Sequence, residues 1–151
     1  MPGFELFDQQ EIDAVADVIR GKVLHRYWFQ GMRNGVWKVE EFEKAVAGKF
    51  GSKHCLAVSS GTASLYVALK ALGIGPGDEI ITSPFTFIAT MESILECGAV
   101  PVLAEVDESL NLDPGSVEEL ITERTKAIMP VHMFGAAADM DAFKAICDEY
   151  G

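Results

Sequence analysis

The chain has 151 residues, 49% hydrophobic and 23% charged, with positive mean hydropathy; this excludes disorder and supplies one sizeable core, not comfortably two. Twenty-three acids against 12 Lys plus Arg give a net charge of −11, which disfavours phosphate backbones and anionic membrane surfaces. The first twenty residues lack a basic stretch followed by an apolar core, and no apolar run approaches the roughly 18 residues of a membrane helix, so the cytoplasm is the expected location.

In chain order, two amphipathic helices come first, around Gln9–Arg20 (Ile12, Val15, Ile19) and Lys38–Phe50 (Val39, Phe42, Val46, Phe50). Between them, from Arg20 to Val39, no acid occurs. That stretch carries Arg20, Lys22, Arg26, Arg33 and Lys38 among Tyr27, Trp28, Phe29 and Trp37. It reads either as a surface for an anionic substrate or an acidic partner subunit, or as a solvated loop with aromatics tucked onto the core.

Four short runs then recur at nearly even intervals, His54–Ser59, Glu79–Ser83, Pro101–Val106 and Lys126–Val131, and read as buried strands. Segments of helical period separate them: Leu65, Ala68, Leu69, Leu72; Phe87, Met91, Ile94, Leu95; and Val117, Leu120, Ile121. Alternation of strand and helix predicts an α/β fold, an open, mostly parallel sheet covered by helices on both faces. Gly73–Gly77 and Asp113–Ser116 punctuate the boundaries, and Ser116 with Glu119 reads as a capping box. A last helix starts at the N-cap Asp139 and stops at Gly151, where a further strand would continue the pattern. Residues 1–52 thus form a helical and basic segment, and 53–151 the alternating block.

Cys55, Cys97 and Cys147 are odd in number, widely spaced and set in apolar stretches, so buried free thiols are expected and a disulfide framework is not. His25, His54 and His132 are scattered, and no metal site is expected.

Three motifs fall at carboxyl ends of expected strands, where α/β sheets collect ligands. Ser59–Ser64 opens a helix with small residues, so the free amides of the first turn and the helix dipole suit a phosphate; an ordinary N-cap is the alternative. In Ser83–Thr90, Phe85 or Phe87 is placed to present a ring face to a planar cofactor, although core packing is the usual fate of phenylalanine. In Pro130–Gly135, His132 is a candidate acid, base or hydrogen-bond donor, against a structural role. Gly73–Gly77 lacks dinucleotide-fingerprint spacing and leads into a strand.

The order Ala57-Val-Ser-Ser-Gly-Thr-Ala63, Leu72-Gly-Ile-Gly-Pro-Gly-Asp-Glu79, Pro84-Phe-Thr-Phe-Ile-Ala-Thr90, Gly98-Ala-Val-Pro101, Thr125-Lys-Ala-Ile128, Pro130-Val-His-Met-Phe-Gly135 and Ala138-Asp-Met-Asp141 resembles the DegT-type aminotransferases over nearly the whole chain. These are pyridoxal 5'-phosphate enzymes of fold type I that mostly aminate keto-sugars on nucleotides. The resemblance implies that Gly61, Thr62 and Ala63 hold the cofactor phosphate and that Phe87 stacks on its pyridine. It also implies that residues 1–151 are an incomplete cofactor-binding large domain, the amino-terminal part of that fold. The family's acid for the pyridine nitrogen, and the lysine that bonds to the cofactor, match no residue of this sequence. The expectation is therefore an amino-terminal portion, inactive by itself, of a homodimeric enzyme. The parent would move an amine from an amino acid, glutamate being the expected donor, to a nucleotide-linked keto-sugar. The alternatives are a sugar dehydratase of the same family and a non-catalytic α/β module that binds a phosphate ligand.

Overall fold

A computed structural model describes residues 3–151. They group into two compact units, residues 3–57 and Val58–Gly151.

The first unit contains α1 (Gln9–Arg20) and α2 (Lys38–Phe50), on the predicted bounds. A capping box starts α1: Asp8 accepts from the Gln10 amide at 2.7 Å, and Glu11 accepts from the Asp8 amide at 2.8 Å. Gly51 ends α2 in the left-handed region. Neither helix has a fully buried residue. Ile12, Val15 and Ile19 form an exposed apolar stripe on α1, so the amphipathic pattern marks a face that this chain leaves uncovered.

The second unit runs α3 (Gly61–Ala71), β1 (Glu79–Thr82), α4 (Ala89–Glu96), β2 (Val100–Leu103), α5 (Pro114–Glu119), β3 (Thr125–Met129) and α6 (Met140–Tyr150). The sheet is parallel in the order β2-β1-β3, with Ile81 opposite Val102 on one side and Ile128 on the other. Central β1 is buried throughout, and its alternation divides the core. Ile80 joins Leu69, Ile74, Ile94 and Cys97 under α3 and α4, whereas Ile81 joins Leu112, Val117, Phe143 and Ile146 under α5 and α6. Each isoleucine is fully buried, stabilising by about 1.5–3 kcal/mol. Gly98 ends α4 at φ +80°, and a Cβ there would stand 3.1 Å from Pro76 Cγ, so the turn into β2 requires glycine for both reasons.

Three expectations need correction. The predicted strand His54–Ser59 has no regular secondary structure and no ladder partner among the described residues, and Leu56 and Val58 lie exposed; a strand exists only as a hydrogen-bonded pair. Ser116 does not cap α5. Asp113 does so through the Gly115 amide at 3.0 Å, while Ser116 Oγ accepts from the Glu105 amide at 2.9 Å. Finally, Cys97 is buried and Cys55 half-buried, but Cys147 is exposed. Among the described residues no helix is long and apolar enough to cross a membrane.

Candidate functional site

Ser60 enters α3 in an extended conformation, and its hydroxyl accepts from the Ala63 amide at 3.1 Å. Ser64 Oγ donates to the Gly61 carbonyl at 2.6 Å. The Ala63 amide is thereby used within the turn. The Gly61 and Thr62 amides have no acceptor among the described residues, and they sit at the positive end of an eleven-residue helix. At Gly61 φ is not positive, and an added Cβ would meet nothing within 4 Å; glycine therefore serves neither a strained turn nor internal packing. Two free amides, a half-buried threonine hydroxyl and an open approach to the backbone fit a phosphate group.

Beside this turn, Thr62, Ala63 and Tyr66 share a groove with Glu92, Ser93 and Glu96 of α4. The carboxylates of Glu92 and Glu96 make the groove itself a poor place for an anion.

At the carboxyl end of β1, Ser83 Oγ accepts from the Phe85 amide at 2.9 Å, and the Thr86 and Thr90 hydroxyls are bonded at 2.8 Å. These bonds fix the loop ahead of α4 and leave Phe87 75% exposed. A ring so exposed is available to stack on a planar partner. Phe87 itself lies outside the groove between α3 and α4.

At the carboxyl end of β3, His132 Nδ1 accepts from the Ala138 amide at 3.0 Å. That bond assigns the imidazole proton to Nε2, which is free to donate outward. The buried Asn111 accepts from the Met133 amide at 3.0 Å and donates to Ser109 Oγ at 2.9 Å, so it fixes the turn that carries His132. Phe134 stands at φ +49° with its ring 6.1 Å from that of Phe85. The loops after β1 and β3 therefore meet on one edge, as predicted. The third predicted turn, at Ser60, follows no strand.

The strongest charge pairing of the second unit lies at the other end of β1. Glu79 accepts from Thr122 Oγ1 at 2.6 Å and pairs with Arg124, and these donors hold its carboxyl below the ordinary range. This ion pair closes the amino end of the sheet and is structural. The lysines of this unit are likewise away from the carboxyl edge: Lys70 Nζ donates to the Ile74 carbonyl, Lys144 pairs with Asp148, and Lys126 is the second residue of β3. Among the described residues no group of three or more His, Cys, Asp or Glu is placed to hold a metal ion.

The sequence alone did not mark Asn111 or the bond from the Phe85 amide to Ser83 Oγ. The Ser-Pro-Phe spacing offers a signal for the second, since a serine two residues before an amide is a common local acceptor.

Residues 8–151 match the model of the DegT/DnrJ/EryC1/StrS aminotransferase family. The spore coat polysaccharide biosynthesis protein SpsC of Bacillus subtilis is 53% identical over 115 residues, 76% of this chain and 30% of that protein. The UDP-2-acetamido-2-deoxy-3-oxo-D-glucuronate aminotransferase of Pseudomonas aeruginosa is 46% identical over 115 residues, 76% of this chain and 32% of that protein. Among solved structures, the PLP-form of the sugar aminotransferase Spr1654 from Streptococcus pneumoniae superimposes with a TM-score of 0.78 at 29% identity, covering 93% of this chain and 34% of that one. The chain thus spans about a third of the length of the proteins it matches.

Proposed function

Because the chain belongs to the DegT/DnrJ/EryC1/StrS aminotransferase family, we propose that it is the amino-terminal part of a pyridoxal-phosphate enzyme's large domain. The enzyme transfers an amine from an amino acid, glutamate by preference, to a keto-sugar carried on a nucleotide. It acts as a homodimer in the cytoplasm, with no nucleic-acid or membrane partner. The Pseudomonas relative's named substrate, a UDP-linked 3-oxo sugar acid, and the PLP-form of the pneumococcal neighbour support the substrate class and the cofactor.

The Gly61 and Thr62 amides, with the Thr62 hydroxyl, bind the cofactor phosphate, and Ala63 keeps the turn in shape through Ser60. Phe87 covers one face of the pyridine. When bound, the cofactor supplies an electron sink for a carbanion next to the amine. His132, held by the Ala138 amide, donates its Nε2 proton to an oxygen at the sheet edge. Because the family's cofactor-bonding lysine matches no residue of this sequence, the 151 residues are expected to bind the cofactor reversibly and to transfer no amine.

The observation that carries the proposal is the pair of unaccepted amides beside the open space at Gly61. Its test is titration of pyridoxal phosphate into the chain, followed by absorbance, and by mass after borohydride reduction. Saturable binding that Thr62→Val weakens, with no stoichiometric lysine adduct, is expected. A single trapped adduct accompanied by amine transfer refutes the assignment, and unchanged affinity in Thr62→Val refutes the cradle.

A further inference from the structure

The first unit holds a cavity of about 390 Å³ between the end of α1 and the start of α2, with His25, Arg26, Arg33, Trp37 and Lys38 in its wall. Arg33 is only 8% exposed. It donates to the Trp28 carbonyl from Nε at 3.4 Å and to the His25 carbonyl from Nη2, and its guanidinium lies 4.5 Å from the centre of the Trp37 ring. Among the described residues no carboxylate pairs with it, and its Nη1 has no acceptor. Two carbonyl dipoles and a ring face only partly offset a full buried charge.

Arg26 differs in being paired but also has a donor left over. Its guanidinium reaches Glu43, yet its Nε is buried without an acceptor. Among the described residues the one acid in the wall, Asp17, is committed to Arg20 at 2.9 Å. In a chain of net charge −11, the unpaired guanidinium of Arg33 therefore shares one cavity with Arg26, whose Nε lacks an acceptor although Glu43 pairs with the group, with His25, and with Lys38, which pairs with Glu41 at 2.9 Å. Guanidinium forks of this kind match the oxygens of phosphate.

We infer that this cavity binds a small phosphate-class oxyanion through Arg33 and Arg26, as a site of the first unit separate from the cofactor cradle at α3. Inorganic pyrophosphate and uridine diphosphate are the probes, at constant ionic strength. Trp37 is the reporter, in a Trp28→Phe background that leaves it the sole tryptophan. A saturable change in Trp37 fluorescence with Kd of about 1 mM or below is expected. Arg33→Gln should weaken it at least about tenfold, or about 1.4 kcal/mol. Arg26→Lys, which keeps a charge for Glu43 but removes the Nε donor, should weaken it less; it also serves if Arg33→Gln does not fold by circular dichroism. Tighter binding of uridine diphosphate with the same arginine dependence assigns the anion to a nucleotide, and equal binding assigns it to the phosphates alone. The inference is overturned if neither probe saturates by about 10 mM, if the folded arginine variants bind like the parent, or if Gly61→Ala abolishes the signal while Arg33→Gln does not.

Discussion

At Gly61 a methyl group would enter open space, on a backbone already in helical conformation at the start of α3. Alanine there should stabilise the fold by about 0.4–1 kcal/mol, because it restricts the unfolded chain. The same methyl occupies the approach to the two free amides, so pyridoxal-phosphate affinity should fall about tenfold. Thermal melts and a cofactor titration of Gly61→Ala read the two effects separately. A raised Tm with unchanged affinity would show that the turn is a helix cap and nothing more.

Glu79 gives a second prediction for a single residue. Thr122 and then Arg124 hold its carboxyl below the ordinary value of 4.5. A depressed folded-state pKa means that the group's contribution is fully present above about the ordinary value and is lost as pH falls through the folded-state one. Glu79→Gln should therefore lower Tm by a few degrees at neutral pH, with the two proteins converging in the acid range. Parallel pH profiles would remove the linkage. The capped start of α3 at Ser60 and Gly61 was legible because its small residues follow one another in sequence. The Glu79–Arg124 pair, 45 residues apart, and the Asn111 bond to Met133, 22 apart, were not, since nothing local announces a partner that only the fold supplies.

Among elements, β1 carries both halves of the core, and its two isoleucines face opposite layers. Ile81→Ala should cost about 2–5 kcal/mol. Val100→Ala, on edge strand β2 and half exposed, should change stability by no more than about 0.5 kcal/mol. Urea unfolding compares the two, and equal losses would mean that the sheet is not the centre of the cooperative unit. The helices α1 and α2 were readable to the residue because a period of 3.6 is a property of one segment. The run His54–Ser59 is apolar like β1 but carries a single β-branched residue, Val58, where β1 has Ile80, Ile81 and Thr82. Pairing decides whether such a run becomes a strand, and pairing is a property of two segments. Likewise α5 stops at Glu119 and leaves the periodic Leu120 and Ile121 beyond it; they pack against the core from a turn.

On the scale of the whole molecule, burial is uneven. In the second unit both faces of the sheet are covered, whereas in the first unit only Val23 and Arg33 are buried among the described residues. Phe7, Ile12, Val15 and Ile19 stay exposed, as do Tyr27 (62%), Trp28 (75%) and Phe29 (48%). So much apolar and aromatic surface on one small unit exceeds what solvent-facing helices need, and the neighbouring Trp37, one face under Arg33, extends it with cationic density. Aromatic residues with arginine are the composition of an interface centre, and a second copy of the chain supplies the same surface for a two-fold contact. Light scattering at micromolar concentration should accordingly give a dimer. A charge in the middle of either apolar patch, Val15→Asp or Trp28→Asp, should raise the dissociation constant at least about a hundredfold, since an unpaired carboxylate would be buried on association. Both substitutions sit at exposed positions, so circular dichroism and Tm should remain those of the parent. A monomeric parent, or variants that dimerise as the parent does, would place the subunit contact elsewhere on the molecule.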